Sequence, residues 1–211
     1  KGGLGDDILT GGADNDYFYI DHGIDTITDL STGDIFFVSE ASEVIASDIV
    51  NFSATPDTRN LGIATLLAGD SGSVINMSRS SAGAYTIVGG ADADILTGGN
   101  NNDTLTGGAG DDVFQVLSGT DTITDLETGD SFLVGVEAVA EALHVLKFTA
   151  TSESKNFGQV SIYSYLNGSD IDVSLTDLSF STTSGLGALP KTKGGKFLIL
   201  LRTILSSFSS S

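Results

Sequence analysis

The sequence predicts an all-β chain in which parallel β-solenoid blocks alternate with β-rich inserts, as a tandem repeat of 96 residues. Three observations predict it. Aspartate recurs at every ninth residue in two separate blocks. A large apolar residue follows each of those aspartates two positions later. A shift of 96 residues lays one block on the other, with 22 of 38 positions identical when 1–38 is set against 97–134.

The first block covers 1–38. It reads Gly2-Gly3-Leu4-Gly5-Asp6-Asp7-Ile8-Leu9-Thr10, then Gly11-Gly12-Ala13-Asp14-Asn15-Asp16-Tyr17-Phe18-Tyr19, and the frame continues after its glycine pairs are lost. Its sixth positions are Asp7, Asp16, Asp25 and Asp34, and its eighth positions Leu9, Phe18, Ile27 and Phe36. Residues 39–88 read as a β-rich insert, from short β-prone runs such as Ile49-Val50-Asn51-Phe52 bounded by Gly, Ser, Asn and Asp. The second block, 89–134, starts its turns at Gly89, Gly98 and Gly107 and then at Val116 and Asp125. Its sixth positions are Asp94, Asp103, Asp112, Asp121 and Asp130, and its eighth positions Leu96, Leu105, Phe114, Ile123 and Phe132. A second insert, 135–184, carries alanines and glutamates over Val136 to Leu146 that predict a short helix, with Glu40 to Ile49 at the matching place in the first unit. Residues 185–211 form a basic, then apolar, then serine-rich tail. The chain opens at Lys1 already inside a repeat, which reads as a fragment of a longer protein.

Composition narrows the chemistry. The chain holds 28 acidic and 9 basic residues for a net charge of −19, with 27 Gly and only 2 Pro. Glycine without proline points to repeated tight turns. An acidic surface disfavours nucleic acid, which is bound by neutralising phosphates, and favours cations. The absence of cysteine excludes disulfides and thiolate metal sites. The apolar run from Phe197 to Phe208 is interrupted by Arg202 and falls well short of the roughly 20 residues a membrane helix needs, so no transmembrane segment is expected.

The spacing itself favours calcium. Ca²⁺ takes six to eight oxygens at about 2.3–2.6 Å, so oxygens on opposite sides of one ion lie about 4.8 Å apart, which is also the separation of neighbouring strands. Six turn residues followed by a three-residue strand would stack equivalent carboxylates at that distance. One carboxylate per turn cannot complete the shell, so backbone carbonyls must contribute. The leading glycines Gly2, Gly11, Gly89, Gly98 and Gly107 let the chain curl to aim them inward. Without metal, two carboxylates at this spacing repel by roughly 3 kcal/mol at an effective dielectric of 20, so calcium is expected to fold the blocks as well as bind them.

GGLGDDILT, GGNNNDTLT and GGAGDDVFQ resemble the RTX (repeats-in-toxin) nonapeptide G-G-x-G-x-D-x-U-x over residues 2–37 and 89–133. The resemblance implies a β-roll whose turns alternate between two edges, with an ion between turn i and turn i+2. It pairs Asp7 with Asp25, Asp16 with Asp34, Asp94 with Asp112, Asp103 with Asp121 and Asp112 with Asp130. The fourth positions depart from glycine at Asp14 and Asp92, which are either added ligands or solvated turn residues. Two to four ions are expected, with the strongest sites at Asp94, Asp103 and Asp112 and weaker ones at Asp121 and Asp130, whose turns lack leading glycines. The resemblance further implies export by a type I secretion system of a Gram-negative bacterium, through an uncleaved signal near Lys196 to Ser211, and folding outside the cell.

Nothing in the chain argues for catalysis. Gly69-Asp70-Ser71-Gly72 looks like a nucleophile loop, but the 96-residue shift places it on the ordinary turn Tyr165-Leu166-Asn167-Gly168. His22 and His144 belong to no hydrolase motif. The leading expectation is therefore a non-catalytic, calcium-binding structural or adhesive protein, secreted or held at the cell surface, similar to the repeat regions of bacterial surface-layer proteins. Surface polysaccharide or other copies of itself are its candidate partners. The alternative is the carboxy-terminal secretion and folding module of an exported protease or lipase whose catalytic domain precedes residue 1.

Overall fold

The structure, a computed structural model, describes residues 1–145, 147–149, 151–156, 158–164, 170–172 and 197–202. In chain order its strands are β1 (Ile8–Leu9), β2 (Tyr17–Ile20), β3 (Ile24–Ile27), β4 (Ile35–Val38), β5 (Glu43–Ile49), β6 (Asn51–Ser53), β7 (Arg59–Asn60), β8 (Ile63–Ala68), β9 (Val74–Asn76) and β10 (Thr86–Val88). They continue as β11 (Ile95–Thr97), β12 (Thr104–Thr106), β13 (Val113–Val116), β14 (Thr120–Ile123), β15 (Ser131–Val134), β16 (Val139–Ala142), β17 (Lys147–Thr149), β18 (Lys155–Asn156), β19 (Gln159–Ser164), β20 (Asp170–Asp172) and β21 (Phe197–Arg202).

These strands wind a parallel β-solenoid of about eight turns. One wall is a single sheet in the order β1-β3-β5-β8-β10-β12-β14-β16-β19-β21, parallel throughout except for β21, which pairs antiparallel with β19. The opposite side carries β2-β4-β7 and β6-β9-β11-β13-β15-β18, with β17-β20 as a further pair. Side chains alternate between core and solvent as strands demand. The core is a column of Phe18, Phe36, Phe52, Phe114, Phe132 and Phe148 from one side and Ile27, Leu66, Ile87, Leu105 and Ile123 from the other. Phe36 stacks on Phe52 at 5.9 Å and Phe132 meets Phe148 at 5.9 Å. Every eighth-position residue falls in this core, Leu9 only partly buried at its open end.

The division into blocks and inserts is not present in the structure. Residues 39–88, and the described residues of 135–184, form strands stacked on the same solenoid. Down the first wall, Ile8 pairs with Thr26 and Thr86 with Thr104, each 18 residues on. Thr26 to Ile45, Ile45 to Thr65 and Thr65 to Thr86 are steps of 19, 20 and 21. Each coil of the supposed insert merely carries one to three extra residues, which erases the nine-residue period without ending the stacking. In the lengthened coil after β5, the far side is made by two short strands, β6 and β7, instead of one.

The helix expected over Val136 to Leu146 is replaced by strand β16, and its counterpart over Glu40 to Ile49 by β5. Ala138, Ala140 and Ala142 are all buried while Val139 and Glu141 face outward. That is a period of two, and pairing with the neighbouring coils overrides the helical propensity of alanine. No helix among the described residues is long and apolar enough to cross a membrane. The tail from 185 onward, with the expected secretion signal, lies outside the described residues except for β21.

Candidate metal centre

The sixth-position aspartates stand on two edges of the solenoid, seven of them immediately before a strand and Asp25 and Asp121 as the second residue of β3 and β14. In seven of the nine, Asp25, Asp34, Asp94, Asp103, Asp112, Asp121 and Asp130, Oδ1 accepts the backbone N–H of the residue one coil earlier. Asp7 N donates to Asp25 at 3.0 Å, Asp16 N to Asp34 at 2.9 Å and Asp94 N to Asp112 at 2.8 Å. Asp103 N donates to Asp121 at 3.0 Å and Asp112 N to Asp130 at 2.9 Å. All five pairs expected from the sequence are thus brought together. Both second-block ladders extend one rung further back, where Ser73 N donates to Asp94 at 2.6 Å and Tyr85 N to Asp103 at 2.7 Å. Forward along the first wall they stop where Asp25 meets Val44 and Asp121 meets Ala140.

The second carboxylate oxygen gives the leading glycines their reason. A methyl group on Gly98 would sit 2.5 Å from Oδ2 of Asp121 and 2.8 Å from Oδ2 of Asp103. Methyl groups on Gly11 and Gly89 would sit 2.5 Å from Oδ2 of Asp16 and of Asp94, and on Gly2 and Gly107 they would collide with Asp25 and Asp112. A carboxylate lies over the first glycine at Gly2, Gly11, Gly98 and Gly107, and at Gly89 the backbone carbonyl oxygen of Gly107 lies nearer still. Left-handed backbone is needed elsewhere in the turn, at Gly3 with φ 109° and Gly108 with φ 97°.

These carboxylates are buried at a cost. Asp25, Asp34, Asp94, Asp103, Asp112, Asp121 and Asp130 are all almost fully removed from solvent. Burial pushes Asp103, Asp112 and Asp130 up to about 6 and Asp121 to about 7, against backbone N–H donors that pull the other way, and it raises Asp25 as well. Oδ2 of Asp7, Asp16, Asp25 and Asp121 is buried without a hydrogen-bond partner. A buried anionic oxygen with no donor is strongly unfavourable unless a cation completes it. The residues fit calcium. Beside Gly98, Oδ2 of Asp103 and Oδ2 of Asp121, from successive coils, border the same space that a side chain on that glycine would fill. The donors are all hard oxygens. No group of three or more acidic or histidine side chains gathers among the described residues, so backbone carbonyls must supply the remaining ligands.

Asp14 and Asp92 are exposed at their turns, Asp14 with φ 75°, and neither reaches a ladder carboxylate through a hydrogen bond. Asp121, expected to be among the weaker positions, is the one second-block ladder aspartate whose Oδ2 is buried without a hydrogen-bond partner. Asp94 and Asp103 instead turn Oδ2 to the N–H of Gly90 at 2.6 Å and Gly99 at 2.5 Å.

Sequence reasoning missed two further sets of residues. Asp29 grips the N–H groups of Gly11 and Gly12 at 3.0 and 2.7 Å, and Asp125 grips those of Gly107 and Gly108 at 2.8 Å each. Fifth-position side chains reach forward a coil, Asp6 to the N–H of Ile24 at 2.9 Å and Asn102 to that of Thr120 at 3.0 Å. The identical Asp25-to-Leu30 and Asp121-to-Leu126 segments were the available signal for the Asp29 and Asp125 clamps.

Comparison with known proteins agrees with this geometry. The RTX calcium-binding nonapeptide repeat matches residues 1–27 and 86–124, in four copies. An S-layer protein of Synechocystis sp. is 36% identical over 88 residues, which is 37% of this chain but 5% of that protein, so the chain spans a small fraction of the relative's length. No solved structure matches. The turns at 1–27 and 86–124, which carry seven of the nine ladder aspartates, are RTX calcium-binding nonapeptide repeats.

Proposed function

We propose that this chain is a non-catalytic, calcium-folded structural segment of a secreted or cell-surface protein. The observation that carries the reading is the cradle at Gly98, where Oδ2 of Asp103 and Oδ2 of Asp121 border the space left by the missing side chain and Oδ2 of Asp121 is buried with no donor. Equivalent sites are assigned to Asp7 with Asp25, Asp16 with Asp34, and Asp94 with Asp112 and Asp130. Calcium, when bound, supplies the positive charge that two stacked carboxylates lack. The chain's part is to hold Oδ1 with a backbone N–H of the preceding coil, leave Oδ2 over a glycine, and keep water out with the phenylalanine column beneath. Mg²⁺ is a poor substitute, because it demands near-octahedral geometry at about 2.0–2.1 Å and keeps its waters.

The surface location is supported by the S-layer relative and by a cysteine-free, strongly acidic composition. The echo of 1–38 at 97–134 supports an internal duplication of the coil pattern, and export by a type I system remains part of this reading. Circular dichroism during a calcium titration tests it. A β spectrum that develops with Ca²⁺ over the micromolar to millimolar range, and not with Mg²⁺, is the expected result. A β spectrum unchanged by chelator would overturn it.

A further inference from the structure

The outer face of β2, β4 and β7 carries more than the fold requires. Tyr17 pairs with Ile35, Tyr19 with Phe37 and Phe37 with Arg59, all pointing away from the phenylalanine core. Tyr19 and Phe37 stack at 5.2 Å, with the Lys1 ammonium 5.2 Å over the far side of the pair at Tyr19 and the Arg59 guanidinium 5.8 Å over Phe37. Beside this column lies an open groove of about 770 Å³, lined by Tyr17, Ile35, Pro56, Asp57, Arg59 and Ser81 along with the two stacked rings. Its volume is in the range of ligand-binding sites.

The chain contains its own control. The 96-residue shift sets Tyr17, Tyr19, Ile35 and Phe37 on Val113, Gln115, Ser131 and Leu133. Those residues build β13 and β15 with the same parallel register and the same buried Phe114 and Phe132. Stacking the coils therefore does not need aromatic side chains on the outer face. Tyr17 is 56% exposed, and its ring makes no aromatic or cation contact among the described residues. Tyr17, Ile35 and the stacked rings thus gather exposed and half-buried apolar side chains on one outer face beside the groove.

Charge selects the occupant. A protein of net charge −19 repels acidic polymers and a second copy of itself. Arg59 and Asp57 line the groove together, Arg59 without an ion pair or side-chain hydrogen bond among the described residues and Lys1 tied to Asp21 at 2.8 Å, so the lining carries no excess charge of either sign to select a charged partner. What remains is a neutral, hydroxyl-rich ligand with apolar patches. We infer that the groove between Tyr17 and Arg59 is a subsite for a neutral polysaccharide. The C–H face of a sugar ring lies on the electron-rich face of Tyr17, while the Arg59 donors, the Asp57 acceptors and the Ser81 hydroxyl meet its hydroxyl groups.

Affinity electrophoresis of the calcium-loaded chain through gels containing hydroxyethylcellulose, galactomannan, dextran or alginate tests this. Retardation by at least one of the three neutral polymers is expected. Tyr17→Ala and Arg59→Ala should each weaken it by about tenfold, equivalent to about 1.4 kcal/mol, and Val113→Ala should leave it unchanged. Circular dichroism of every variant in calcium separates a lost subsite from a lost fold, so failure here is distinguishable from failure of the calcium reading. Retardation by none of the neutral polymers, by alginate alone, or undiminished in both variants overturns the proposal. So does a concentration-dependent dimer abolished by Tyr17→Ala, which would assign the face to a second copy.

Discussion

The backbone N–H of Asp103 donates to Oδ1 of Asp121 at 3.0 Å, while Oδ2 of the same Asp121 carboxylate is buried with no partner. One oxygen ties two coils together and the other is left for a cation. The two roles can be separated by mutation. Asp121→Asn keeps an acceptor for the Asp103 N–H and removes the charge, so it should weaken calcium binding by about tenfold or more while preserving the β spectrum at saturating calcium. Asp121→Ala should lose both, with a further cost of about 1–3 kcal/mol for the orphaned N–H. Isothermal titration calorimetry and calcium-saturated thermal melts distinguish them. Asp92→Ala, at an exposed turn position, should do neither.

The glycines separate into two kinds. Gly107→Ala drives a methyl group into the Asp112 carboxylate and to 2.9 Å from the Phe114 ring tip, so it should reduce the number or affinity of bound ions. Gly3→Ala meets no neighbour but forces a side chain to φ 109°. Its effect should be a loss of about 1–2 kcal/mol in stability with calcium stoichiometry unchanged. Calcium stoichiometry by calorimetry alongside thermal denaturation checks the contrast.

The clamp residues should behave as fasteners. Asp125 holds two consecutive N–H groups of the preceding coil, one of them part-buried, whereas both hydrogen bonds of Asp29 are exposed. Asp125→Ala should therefore cost more stability than Asp29→Ala, about 1–3 kcal/mol against under about 1. Hydrogen exchange at Gly107 and Gly108 is the local readout, and protection there should fall selectively in the Asp125 variant.

The ladder was legible in the sequence because its rule is strictly local: sixth-position Asp, eighth-position apolar, coil of 18. The fold outside it was hidden by coil length. Between Thr26 and Thr86 the coils grow by single residues, so no fixed period survives, yet Val44, Ala46, Ala64 and Leu66 still alternate into the core. Alternation over four residues is a weak signal, and in the Ala138-to-Ala142 segment it competed with high helix propensity and was misread. The use of the leading glycine was hidden for a different reason. Its neighbour, the Asp carboxylate, is close only in space, as with Gly98 and Asp121, and nothing local distinguishes a glycine kept for room from one kept for φ.

The final prediction concerns pH. An unperturbed aspartate titrates near 3.9, and burial raises Asp103, Asp112 and Asp130 to about 6 and Asp121 to about 7. Because these pKa values are raised on folding, the calcium-free folded chain binds more protons than the unfolded one between roughly pH 4 and 7. Its stability contribution from these groups is complete below the unfolded value and is lost as pH rises through 6 to 7. In chelator the β signal should thus be stronger near pH 4.5 than at pH 8. With calcium present the trend reverses, since protons and metal compete for the same oxygens. The calcium midpoint should fall as pH rises from 5 to 7.5 and level off once Asp121 is ionised. Circular dichroism across this range, with and without calcium, reads both trends. A metal-free chain more folded at pH 8 than at pH 4.5 would contradict the burial of these carboxylates.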